Sequence, residues 1–160
     1  MFKIKPTSLF RKDGLYFSPV HTKGRGLFCM NDIKAGELIE VAPVFLFNEE
    51  DSKHLEKTII SDYYFSAADV PEAILRRSGI KDASLASCVA MGAASYCNHM
   101  VTPNAVAEKF AEHHTLYYKL IAKKDIPKDT EICINYGIAW ISMRKLRAYA
   151  DSKKAPEDND

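Results

Sequence analysis

The sequence predicts a β-rich α+β domain, and three observations carry that expectation. Short runs of β-branched and aromatic residues recur along the chain, each bounded by Gly, Pro, Asp or Asn. Helical apolar spacing holds over only two stretches, one in the middle and one near the C-terminus. The chain has 160 residues, enough for one domain with a sizeable core.

The elements follow in order. "LYFSPV" at 15–20 and "RGLFCM" at 25–30 read as short strands. "ELIEVAPVFLF" at 37–47 reads as a strand pair broken at Pro43, because proline removes a ladder donor. The segment 52–65, "SKHLEKTIISDYYF", mixes helix and strand signals. "DASLASCVAMGAAS" at 82–95 reads as a helix capped by Asp82, its small residues admitting another backbone closely. "VAEKF" at 106–110 and "LYYKLIA" at 116–122 predict a hairpin with His113 and His114 at a solvated tip. "EICINY" at 131–136 is a further strand with Ile132 and Ile134 on one face. After Gly137, apolar residues Ala139, Met143, Leu146 and Ala150 recur at helical spacing and predict a C-terminal helix. Residues 1–150 thus form a single domain, and the charged tail 151–160 is expected to be disordered.

Two segments rhyme. "NDIKAGELIEV" and "KKDIPKDTEICI" each place Asp-Ile before a turn and an acid after it, entering a strand. This reads as one turn chemistry used twice, punctuated by Gly36 and Pro127.

Composition narrows the function classes. With 47% hydrophobic and 27% charged residues and a net charge of +1, no global field draws nucleic acid or a membrane. No apolar run approaches the ~18 residues of a membrane span. The opening "MFKIKPTSLFRKDG" holds no apolar signal core, which predicts an intracellular protein, cytoplasmic or, in a eukaryotic source, nuclear. Cys29, Cys88, Cys97 and Cys133 form no C-x-x-C pair and no zinc spacing, and they read as small buried thiols. No metal site is expected.

Taken singly, the candidate functional residues are ordinary. "KGRG", Lys23 to Gly26, is a turn whose glycines let a backbone approach a ligand. His99, beside Asn98, is a satisfied structural histidine, and Tyr136 is an edge aromatic before a glycine. Their order is more specific. "KGRGLF…DIKAGELI", then "YCNHMVTPNA", then "DIPKDTEICINYG" resembles the SET-domain protein-lysine methyltransferases. The resemblance covers about residues 14–140 and is nearest the compact viral-like or bacterial members.

The resemblance implies small β-sheets around a pseudoknot and an S-adenosylmethionine pocket. Lys23, Gly24, Arg25 and Gly26 would meet the methionine end, Asn98 would bind by its side chain, and His99 by its backbone near the adenine. Tyr136 matches the catalytic tyrosine, which also borders the cofactor, and Trp140 is a further candidate beside the adenine. The implied activity is S-adenosylmethionine-dependent protein-lysine N-methylation, of histones or another chromosomal protein. A non-enzymatic SET-type binding module and a methyltransferase for a non-histone substrate are the alternatives. Met100 and Val101 stand where the family often has Ser-Cys, and no cysteine follows Cys133. A zinc-binding post-SET segment is therefore not expected, and the helix over 139–149 is the expected wall of the lysine channel. Ile134 leaves the number of methyl groups open. The partner is a lysine-containing protein, a homodimer is admitted, and neither membrane nor direct nucleic-acid binding is expected.

Overall fold

Two sheets organise the chain in the computed structural model, which describes residues 8–21 and 23–137. The expected C-terminal helix, Trp140 and the tail lie outside the described residues.

The larger sheet runs β5 (Phe65–Ser66), β6 (Ser87–Ala90), β4 (Leu38–Phe47), β9 (Thr115–Ala122) and β8 (Ala105–Glu112), with β1 (Phe10–Arg11) also on β4. The smaller runs β2 (Leu15–Val20), β3 (Gly24–Cys29), β10 (Glu131–Ile134) and β7 (Asn98–His99). Two short helices, α1 (Glu49–Leu55) and α2 (Glu72–Arg77), fill the crossover between β4 and β6. The core lies between the sheets, and Leu27, Ile33, Ile39, Leu120, Ile126 and Ile132 are fully buried in it. Every cysteine is buried and free, as the spacing predicted.

The rhyming segments are one device. Ile33 N–H donates to Ile126 O at 2.9 Å, and Ile126 N–H donates back to Ile33 O at 2.8 Å. Asp32 Oδ1 accepts from Lys128 N–H at 2.8 Å, while Asp125 Oδ1 accepts from Ala35 N–H at 2.9 Å. Each turn caps the other, so the β3–β4 and β9–β10 junctions are tied together. The residue matching Gly36 (φ 84°) is Asp129 (φ 59°), while Pro127 stands two positions earlier, opposite Lys34. Aspartate tolerates that left-handed backbone better than most side chains.

The hairpin between β8 and β9 is present, and its tip is the expected pair. His113 and His114 both have positive φ, 48° and 66°, which suits a two-residue turn matching the strand twist.

Two expectations are corrected. Pro43 does not break its strand. β4 is continuous, and Pro43 marks where pairing with β6 begins at Val44, beside the register with β9. Residues 82–95 are not a helix. Asp82 does cap, accepting from Ser84 N–H at 2.9 Å, but only a short 3₁₀ turn follows. The chain then extends as β6 and closes in a second 3₁₀ turn at Ala93–Tyr96. Pairing with β4 overrides the helical preference of the alanines. The small residues are there for close packing, as Gly92 shows. A Cβ on it would lie 2.6 Å from Glu40 Oε2 and 2.7 Å from Ala42 Cβ.

Glu40 is the reason for that tightness. The residue is 2% exposed, and its carboxylate accepts from Ala93 N–H at 2.8 Å and Ala94 N–H at 2.9 Å. Arg11 Nε also donates to it at 3.1 Å. The carboxylate thus anchors the 3₁₀ turn that leads into Asn98. Glu40→Ala orphans two buried amides and is expected to cost about 2–4 kcal/mol of stability. Chemical denaturation reads this directly, and an unshifted midpoint would refute the anchoring role.

Candidate functional site

Strand β10 aims the site. Asn104 is 4% exposed, and its side chain accepts from Cys133 N–H at 2.8 Å and donates to Glu131 O at 2.7 Å. That one amide serves β10 as a neighbouring strand would. β7 runs parallel to β10, with Asn98 opposite Cys133 and His99 opposite Ile134. Two residues beyond the strand stands Tyr136, and Gly137 (φ 82°) turns the chain away.

Tyr136 is fixed at both ends. Its N–H donates to His99 Nδ1 at 3.2 Å, and the two rings lie 5.5 Å apart. Its hydroxyl donates to Cys97 O at 2.6 Å. Burial pushes the phenol well above its ordinary range, and the nearby Cys97, Cys133, Glu131 and Tyr63 push the same way. The hydroxyl therefore keeps its proton at neutral pH.

A cavity of about 590 Å³ opens beside it, within the usual size of small-ligand sites. Lys23, Gly24, Arg25, Asn98, His99 and Tyr136 all line it, so six predicted residues meet at one place. Gly24 (φ 77°) has no atom within 4 Å of where a Cβ would stand, which leaves its backbone open. Gly26 does not line the cavity. A Cβ there would lie 2.5 Å from Glu131 Oε1 and 3.1 Å from Asn98 Nδ2. Its bare backbone makes room for the Asn98 Nδ2 hydrogen bonds to Glu131 Oε1 at 2.7 Å and Arg25 O at 3.2 Å. His99 is expected to serve through its backbone, and its side chain braces Tyr136.

Sequence reasoning passed over Asp62, Tyr63, Ser95 and Tyr96, which complete this lining. Tyr96 is the centre of an aromatic group, 4.5 Å from the Phe17 ring and 5.3 Å from Tyr63, with the Arg25 guanidinium 5.9 Å over it. The segment "DYYFS" adds to the family likeness, but its mixed periodicity gave its tyrosines no place in the site.

Two more cavities meet Tyr136. One, about 590 Å³ and mainly apolar, lies under Tyr63, Tyr64, Phe65 and Leu85. The other, about 530 Å³, is walled by Phe65, Lys109, Tyr118 and Ile134. Tyr136 borders all three.

The model of the SET domain family matches residues 24–137, most of the chain. The chain belongs to the SET-domain family. The SET match takes in both glycines of "KGRG", Asn98-His99 and Tyr136. A Schizosaccharomyces pombe protein named histone-lysine N-methyltransferase, H3 lysine-37 specific, is 27% identical over 116 residues, covering 72% of this chain and 67% of its own length. A Plasmodium falciparum variant-silencing SET domain-containing protein is 30% identical over 140 residues, 82% of this chain but 5% of that protein. Among solved structures, the Neurospora SET domain protein DIM-5, a histone lysine methyltransferase, superposes with TM-score 0.55 at 22% identity, covering 77% of this chain and 52% of that one. A Chaetomium thermophilum Polycomb Repressive Complex 2 chain gives 0.57 at 21%, covering 79% and 15%. These structural likenesses establish the SET fold.

Asn104→Ala in this SET domain is expected to lower stability by roughly 2–3 kcal/mol, since two buried backbone groups of β10 lose their partner. Faster amide exchange at Cys133 should accompany it. A stable variant with an unchanged exchange rate would show that Asn104 does not hold the strand.

Proposed function

We propose that this chain is an S-adenosylmethionine-dependent protein-lysine N-methyltransferase acting on a histone or another chromosomal protein. The carrying observation is the position of Tyr136, whose hydroxyl rests on the Cys97 carbonyl where three cavities meet. The names of the fission yeast relative and of DIM-5 support the reaction class.

The residues of the first cavity fit the cofactor by their chemistry. Lys23 and Arg25 offer cations to a carboxylate, Asp62 an acceptor to an ammonium or sugar hydroxyl, and Tyr63 and Tyr96 rings to an adenine. The open backbone at Gly24 and the amide of Asn98 complete the cradle, with Trp140 a further candidate outside the described residues. When bound, the cofactor supplies an activated methyl group on a sulfonium.

The chain's own residues would prepare the acceptor. Lysine attacks as a neutral amine, although its ordinary pKa is near ~10.4. The half-buried rings around Tyr136 limit access of water and disfavour the ammonium, whose proton leaves to solvent. Tyr136 does not serve as a base, because its half-buried hydroxyl stays protonated and donates to Cys97 O. It and that carbonyl present oxygens that hold the reacting groups in line.

The test is transfer of labelled methyl from S-adenosylmethionine to core histones and to whole-cell protein. Tyr136→Phe is expected to cut turnover on the order of a hundredfold while leaving cofactor affinity intact. Equal rates would remove Tyr136 from the mechanism. The neutral fraction of the target amine grows about tenfold per pH unit below its pKa, so kcat/KM should climb from about pH 7 to 9. Tyr136 must stay protonated, and its raised pKa places its ionisation above that window, so no downturn should appear within it. A falling limb there would contradict the role given to the hydroxyl.

A further inference from the structure

Among the described residues, the cofactor cavity and the cavity walled by β8 and β9 share Tyr136 alone. The apolar cavity borders both, sharing Asp62, Tyr63, Ser95 and Tyr136 with the cofactor cavity and Phe65, Ser66 and Tyr136 with the β8–β9 cavity. In-line transfer needs donor and acceptor on opposite sides of the reacting centre. That makes the β8–β9 cavity the acceptor side, a step that rests on the function just proposed.

Its charge is distinctive. Lys109 and Lys123 line it against one carboxylate, Asp69. Lys109 is committed already: its side chain is 5% exposed, ion-paired to Asp69 and 5.4 Å over the Tyr118 ring. Lys123 is exposed, and among the described residues it forms no ion pair. It is also well placed. Its backbone N–H donates to Asn104 O at 2.8 Å, and the Asn104 side chain holds the strand that carries Tyr136. Val101, 81% exposed, and Val106 supply an apolar rim beside it. The apolar cavity shows the reverse balance, with Glu49, Glu56 and Asp62 against Lys53.

We infer that Lys123 makes this enzyme prefer substrates with an acidic residue near the target lysine, since Lys123 and Tyr136 line one cavity. A carboxylate there would pair with Lys123, while an arginine would meet a like charge. Lys109 and Asp69 hold each other and contribute shape rather than charge preference.

The experiment uses the full chain and peptides with one lysine in a neutral sequence, neighboured by Asp, Ala or Arg. Methyl transfer and peptide affinity, the latter by fluorescence anisotropy, are measured separately. Acidic neighbours should raise kcat/KM and affinity about two- to fivefold over alanine, as exposed charge pairs do, and arginine should lower them. The preference should fade at high salt, and Lys123→Glu should invert it. Transfer without a charge preference overturns this inference alone. A preference for arginine also overturns it and assigns the peptide to the acidic cavity. Acid-selective binding that Lys123→Glu inverts, without any transfer, keeps the charge preference at this cavity but overturns the enzymatic reading, and with it the inference as a statement about substrates. Neither binding nor transfer overturns both.

Discussion

Everything in the site depends on how four residues of β10 are held. β3 pairs with its start through Phe28 and Leu27, and β7 pairs with its end through Asn98 and His99. The Asn104 amide satisfies a donor and an acceptor between them. A strand this short contributes little by itself. Pinned on these sides, it delivers Tyr136 to the Cys97 carbonyl and places Asn98 and His99 beside it. The same amide explains why a buried polar side chain is tolerated, since an unpaired one would cost more than it returns.

A second constraint acts upstream. The Glu40 carboxylate holds the 3₁₀ turn before Asn98, and Gly92 leaves it the room. The paired Asp-Ile turns then tie the strand carrying Glu40 to the strand carrying Tyr136. Sheet, turn and site are thus one connected set of hydrogen bonds, and the cavities are the spaces it leaves.

How much of this was legible follows from range. The hairpin, the strands on either side of "KGRG" and the rhyming turns are local patterns, and local chemistry reveals them. The six cavity residues emerged from motif order, because such motifs converge on one place in the SET fold. What stayed hidden was long-range. Glu40 looks like any strand glutamate, because its amide partners lie some fifty positions away. The alanines of 82–95 look helical because β4, which claims them as a strand, is invisible to a local reading. Asn104 drew no separate expectation within "YCNHMVTPNA", since its role exists only once β10 lies against it. Gly26 is expected at the ligand, and its second role was hidden because Glu131 and Asn98, which fill the space a side chain would take, lie far along the chain.

The central claim is that the segments around Lys23–Arg25 and Asn98–His99 form one cofactor cradle at Tyr136. Calorimetric titration of the wild-type chain and of Asn98→Ala with S-adenosylmethionine tests it most directly. The account predicts one site per chain in the wild type and at least about tenfold weaker binding in a variant that remains folded by circular dichroism, as loss of a hydrogen bond to a charged group would give. No binding to the wild type, or equal affinity in both, would contradict it.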